Sequence, residues 1–184
     1  MSNVKKRNLC KLHRKRITDL ASQIVEPEKK LGGRLMFFPE FFTPAKAGDL
    51  FLSLKSAICP LLEIPSFVTQ GNAVQQPRQC VWYGPCRYQY SRYTLKNRKL
   101  QSCHTLNNIR MDLQQVFGVE LNSCFVNVYR DGNDGVGWHA DDEKIFGKYP
   151  FIVSLSVGAT RRFDLCRSNN LSRKPEITYG HVHK

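Results

Sequence analysis

Residues 127–143 read NVYRDGNDGVGWHADDE, and the chemistry carried by this stretch governs how the rest of the chain is read. His139 and Asp141 form an H-x-D pair. On an extended segment, side chains two residues apart point to the same side, so the imidazole and the carboxylate are expected to converge. Together they would supply two of the three ligands of a 2-His-1-carboxylate site, which leaves open positions on iron for oxygen and a co-substrate. Upstream, Asn127 and Tyr129 form an N-x-Y pair on one face of a predicted strand. An amide and a phenol are suitable donors for a carboxylate or keto oxygen. An H-x-D triplet alone arises by chance in many chains. Its place soon after N-x-Y, with Trp138 before it and Asp142-Glu143 after it, makes the signal far more specific.

The flanking sequence supplies the scaffold. Ser123 to Tyr129 alternates as a strand, with Phe125, Asn127 and Tyr129 on one face and Cys124, Val126 and Val128 on the other. Residues 131–137, DGNDGVG, read as a loop. Before the strand, Leu106, Ile109, Leu113, Val116 and Phe117 recur at helical spacing, and Gly118 sits where a helix C-cap belongs. Thr43-Pro44 opens an earlier helix, with Ala47, Leu50, Phe51 and Leu54 on its buried face. Arg34 to Phe38 predicts a buried strand, and residues 59–79, broken by Pro60, Pro65, Gly71 and Pro77, predict a loop-rich stretch. Cys80 to Tyr93 predicts two strands around a Gly-Pro turn, or a strand-loop flap. Phe151 to Val157 predicts a well-buried strand, followed after a Gly158-Ala159 turn by a strand from Arg161 to Cys166. Two helices followed mainly by short strands imply an α+β chain whose second half is a sandwich or barrel.

Bulk properties narrow the function class. With 184 residues and 41% apolar content, the chain fits one domain with a real core, plus a tail. No run of about 18 apolar residues occurs, and the charged N-terminus lacks the apolar region of a secretory signal. Seven cysteines without regular spacing imply reduced thiols in an intracellular protein. The net charge of +13 is concentrated. Residues 1–34 carry ten basic and three acidic side chains, and residues 85–110 carry six basic and none acidic. Clustering of this kind suits a polyanion, of which nucleic acid is the commonest; a solvated basic face is the alternative. Residues 1–30 read as a basic disordered tail, either a nucleic-acid-binding or nuclear-localisation arm or a solubilising terminus. Interleaved Tyr and Arg in CVWYGPCRYQYSRY suit base stacking and phosphate contact; an aromatic-rich edge hairpin is the alternative.

NVYRDGNDGVGWHADDE, PFIVSLSVGATRRFDL and the upstream PRQCVWYGPCRYQYS closely resemble the AlkB family of Fe(II)/2-oxoglutarate dioxygenases, within it the homologue 2 and homologue 3 branch and especially homologue 3. The resemblance covers about residues 34–170. It implies a double-stranded β-helix (jelly-roll) core with N-terminal helices and a nucleotide-recognition flap, residues 31–184 forming the dioxygenase domain. It implies Fe(II), 2-oxoglutarate and O2 as cofactor and co-substrates. The implied activity is oxidative demethylation of N1-methyladenine and N3-methylcytosine in DNA or RNA, in the nucleus and cytoplasm. By that resemblance His139 and Asp141 ligate iron. Asn127 and Tyr129, with Tyr88, Gln89 and Tyr90 of the flap, bind 2-oxoglutarate, and Asp142 and Glu143 contact the damaged base. Acceptors suit a cationic base with a donor amine; a solvated acidic turn is the other reading of that pair. The family places an aromatic residue in the segment matching Pro60 to Ile64, where this chain reads PLLEI.

The family's second iron-binding histidine lies on a later strand, followed by an R-x5-R pair. Here only His181 and His183 are available, in SRKPEITYGHVHK, which better resembles the strand before that histidine. The chain therefore reads as truncated at the C-terminus, with strands missing. A catalytically inactive nucleic-acid-binding form and a poorly folded product stand as alternatives to an active enzyme.

Overall fold

The computed structural model describes residues 35–90, 93–147, 150–167 and 177–180, and they form a mixed helix-and-strand structure. The chain divides into two compact units. One is Leu52–Gly137; the other combines the chain up to Phe51 with the chain from Trp138. The tail expected over residues 1–30 lies outside the described residues, as do His181 and His183.

Helix α1, Pro44–Ile58, starts where Thr-Pro predicts. The Lys46 N–H donates to Thr43 Oγ1 at 3.4 Å and the Ala47 N–H to the Thr43 carbonyl at 2.9 Å, so Thr43 supplies acceptors for first-turn donors that a helix leaves unpaired. Ala47 and Ile58 are buried and Leu50 and Leu54 half-buried, but Phe51, expected on the same face, is exposed. Arg34–Phe38 was expected as a strand; residues 35–38 are irregular and only half-buried.

In the Leu52–Gly137 unit, β1 (Ser66–Thr69) and β2 (Asn72–Gln75) form a hairpin inside the stretch expected to be loop. Its turn places Gln70 at φ 50° and Gly71 at φ 80°, the paired positive values of a two-residue hairpin turn. The strands escaped the sequence reading because β2 is exposed along its whole length, so no alternation of polar and apolar residues marks it.

Strand β3 (Gln79–Tyr83) leads to two further short strands, β4 (Tyr88–Tyr90) and β5 (Tyr93–Leu95), which pair antiparallel with each other. The two strands expected around the Gly-Pro turn both form, yet they do not pair with each other. Instead β3 sits at the centre of its own sheet, parallel to β6 (Asn97–Arg98) and antiparallel to β7 (Cys124–Val128). Between β6 and β7 runs α2, His104–Phe117. It buries Leu106, Ile109, Leu113 and Val116 and ends at Gly118 in the left-handed region, φ 68°, whose N–H reaches the Gln114 carbonyl. Ile58, Val81, Tyr83, Leu100, Cys103 and Leu106 make the buried core, with Cys124, Val126 and Val128 packed against it. The alternation read from the sequence thus assigns the β7 faces as observed. Full burial of each such apolar side chain contributes about 1.5–3 kcal/mol.

In the other unit, β8 (Arg162–Leu165) forms as expected and pairs with β9 (Ile177–Gly180). Phe151–Val157, expected as a well-buried strand, is irregular, and Phe151 and Ile152 are about half exposed. Strand-forming residues make a strand only where a partner takes up their backbone groups, and among the described residues none pairs with this stretch. The Gly158-Ala159 bend is present, with Gly158 at φ 96° close to the Phe51 ring. Among the described residues no helix is long and apolar enough to cross a membrane.

One glycine is fixed by space alone. The indole of Trp82, whose N–H donates to the Cys86 carbonyl at 2.7 Å, lies over Gly84, where an added Cβ would overlap the ring. Trp82 is buried and cannot yield freely. Gly84→Ala is therefore expected to destabilise the fold by about 1–3 kcal/mol. A urea midpoint unchanged from the parent would contradict this packing.

Candidate functional site

The H-x-D pair converges as its spacing implies. His139 and Asp141 lie on an irregular segment, and the imidazole Nε2 stands 3.5 Å from Asp141 Oδ1. Both side chains are partly exposed. Bonds of about 2.1 Å to one first-row metal ion place two adjacent donors roughly 3 Å apart, so this nitrogen and oxygen fit as two donors to one ion. No group of three or more His, Cys, Asp or Glu placed to hold a metal occurs among the described residues. Asp142 is exposed; Glu143 is half-buried and its carbonyl accepts from the Phe146 N–H at 2.9 Å, at the start of a short 3₁₀ turn, Lys144–Phe146.

The remaining candidates belong to the Leu52–Gly137 unit. Asn127 pairs across the sheet with Cys80, and Phe125 with Trp82. These residues occupy the face of β3–β7 opposite the apolar core. The Asn127 side-chain oxygen is buried and has no hydrogen-bond partner. A half-turn of the amide presents its NH2 instead, which suits an anionic or carbonyl ligand. Tyr129 lies just past the strand, half-buried. Tyr88 is buried and its ring lies 4.6 Å from Trp82 and 5.5 Å from Phe125, while Tyr90 lies 5.8 Å from Phe125. Gln89 alternates to the other side of the β4–β5 hairpin and is exposed. The structure thus gathers Tyr88, Tyr90, Phe125 and Asn127 around one face and sets Gln89 apart from the two tyrosines.

Three charged residues of the same unit, Asp134, Arg130 and Arg78, went unread in the sequence. Asp134 is 5% exposed and closes the loop after β7. Arg130 grips it with both Nε and Nη2, at 2.8 and 2.7 Å, and the Arg130 backbone N–H adds a bond of 2.8 Å. The Gly135 N–H then ties the loop to the Pro77 carbonyl at 2.8 Å. The available signal was an Asp four residues after an Arg within a glycine-rich turn.

Arg78 is 3% exposed. Its guanidinium carbon stands 4.8 Å from the centre of the Tyr90 ring and 5.5 Å from that of Phe125, and Nε donates to Gln76 Oε1 at 3.2 Å. Its Nη2 is buried with no hydrogen-bond partner. Ring contacts with a desolvated cation contribute about 0.5–2 kcal/mol each, whereas an unsatisfied buried donor costs about 1–3 kcal/mol and more when charged. The arrangement is balanced only in part.

The hairpin carrying Tyr88 and Tyr90 has a second anchor. Tyr93 donates its hydroxyl to Glu63 Oε2 at 2.8 Å, and the Glu63 backbone exchanges bonds of 2.9 and 2.8 Å with Cys80. The Glu63 hydrogen bond, aided by burial, pushes the Tyr93 phenol up to about 12.

A family model described as "2OG-Fe(II) oxygenase superfamily" matches residues 34–179. The alpha-ketoglutarate-dependent dioxygenase alkB homolog 3 of Homo sapiens is 38% identical over 106 residues, 57% of this chain and 36% of that protein. The DNA oxidative demethylase ALKBH2 of Arabidopsis thaliana is 34% identical over 105 residues, 55% of this chain and 33% of that protein. The Homo sapiens protein of the same name is 32% identical over 140 residues, 73% and 52% respectively. The chain thus spans about a third of the length of the first relatives it matches.

The Tyr93–Glu63 bond predicts an alkaline signature. A phenol with a raised pKa stabilises the fold fully below the unfolded value of 10.0, and that contribution is lost as pH rises through about 12. Tyr93→Phe should remove that part of the stability loss between pH 10 and 12, seen in urea titrations across that range. An unaltered pH profile would show that the bond does not form in solution.

Proposed function

This chain belongs to the 2OG-Fe(II) oxygenase superfamily, and on that ground we propose that it is an AlkB-type oxidative demethylase of alkylated nucleic acid. Its substrates are N1-methyladenine and N3-methylcytosine in DNA or RNA, and it works in the nucleus and cytoplasm. The parent fold of this reading is the double-stranded β-helix, with β4–β5 as the nucleotide-recognition flap. What supports the reading most directly is the His139–Asp141 pair, 3.5 Å apart within the matched stretch.

The family's Fe(II), 2-oxoglutarate and O2 would supply the oxidation: one oxygen atom hydroxylates the N-methyl group, which leaves as formaldehyde, and the other enters succinate as the oxo acid loses CO2. In this reading His139 and Asp141 hold the metal through one nitrogen and one oxygen. The Asn127 amide and the Tyr129 phenol donate hydrogen bonds to the oxo acid, beside the Tyr88–Tyr90 strand with Gln89 at its centre. Asp142 and Glu143 accept hydrogen bonds from the exocyclic amine of the methylated base and offset its positive charge. The basic side chains clustered over residues 85–110 attract the phosphate backbone.

The test is formaldehyde release from oligonucleotides carrying either lesion, with Fe(II), 2-oxoglutarate and ascorbate supplied. Turnover is expected. His139→Ala and Asp141→Ala should each lower it by about 100-fold or more, because a catalytic metal contributes several kcal/mol to the barrier. A folded preparation that binds oligonucleotide but releases no formaldehyde would replace the enzyme reading with that of a nucleic-acid-binding protein.

A further inference from the structure

We propose that Arg78 is an oxyanion-binding residue, holding a carboxylate or phosphate group of a ligand on the face of β3–β7 that carries Asn127. The inference rests on the functional reading above only for the identity of the ligand. Its physical basis is local. The side chain is almost wholly enclosed, yet Arg78 forms no ion pair among the described residues, and its Nη2 donor is buried without a partner. Two ring faces and one neutral amide do not replace the water a guanidinium gives up. A planar cation with a spare N–H suits the paired oxygens of a carboxylate or phosphate.

The group is also held ready. The Arg78 N–H bonds the Gln76 carbonyl at 2.8 Å in a three-residue turn, and Pro77 is tied to Gly135 at 2.8 Å. Gln76 Oε1 fixes Nε, and the rings of Tyr90 and Phe125 fix the plane of the guanidinium. A purely structural arginine would be expected to spend its donors on the protein, as Arg110 does on Asn107, Gln114 and the Leu121 carbonyl. The Asn127 side-chain oxygen on the same face is likewise buried and unpaired. With its amide turned by half, Asn127 would present an NH2 donor to the same anion as Arg78.

The experiment compares the full chain with Arg78→Met and Arg78→Lys in two titrations: 2-oxoglutarate in the presence of Mn(II), by calorimetry, and a labelled oligonucleotide, by fluorescence anisotropy. The melting temperature of each ligand-free protein is recorded. Arg78→Met is expected to weaken one ligand at least about tenfold without lowering the melting temperature, because it removes an uncompensated charge. Arg78→Lys, which keeps the charge and loses the planar fork, should fall between. Loss confined to 2-oxoglutarate identifies the carboxylate, and loss confined to the oligonucleotide identifies a phosphate. Both affinities unchanged within about twofold in Arg78→Met, or in Arg78→Lys should the first fail to fold, would overturn the assignment and leave the family reading intact. Failure of the parent chain to bind either ligand would remove both.

Discussion

A five-residue antiparallel ladder decides which side chains of the Leu52–Gly137 unit become core and which face the other way. Gln79–Tyr83 pairs with Cys124–Val128 in a register that sets Trp82 opposite Phe125 and Cys80 opposite Asn127. Val81, Tyr83, Val126 and Val128 therefore pack with α2, while Trp82, Phe125 and Asn127 occupy the opposite face. Slippage by one residue would exchange the two sets. The burial of α2 and the grouping of the polar candidates thus depend on the same pairing.

That second face is built by unequal means. Its aromatic part closes on itself through Trp82, Tyr88, Tyr90 and Phe125, with ring separations between 4.6 and 6.4 Å. Its polar part remains open at Arg78 and Asn127. Polar groups buried in a folded core are nearly always satisfied, so an unsatisfied pair beside a well-packed aromatic cluster is more informative than either alone. The anchors Glu63–Tyr93 and Arg78–Tyr90 both act on the hairpin that carries Tyr88. The position of that hairpin is therefore sensitive to changes well outside it.

The sequence was most legible where a local period reports burial directly. Leu106, Ile109, Leu113 and Val116 with Gly118 marked α2, and the alternation through Asn127 marked β7. His139 and Asp141 were legible for a similar reason, since their approach is set within three residues. Elements failed where the outcome lay in a distant partner. The Ser66–Gln75 hairpin has an exposed second strand that carries no hydrophobic code, and Phe151–Val157 has the composition of a strand but no ladder among the described residues. Arg78 carries no local signal of burial, because the rings of Tyr90 and Phe125 that pack on it are brought there by folding.

The placement of the two tryptophans has a spectroscopic consequence. Trp82 lies sealed within the Leu52–Gly137 unit, and Trp138, 39% exposed, opens the other. The chain has only these two indoles, so each unit carries one fluorophore in a different dielectric. Buried Trp82 should be shielded from iodide, whereas Trp138, beside His139 in sequence, should be accessible to it. Quenching and emission wavelength can therefore follow the two units separately within the same unlabelled sample.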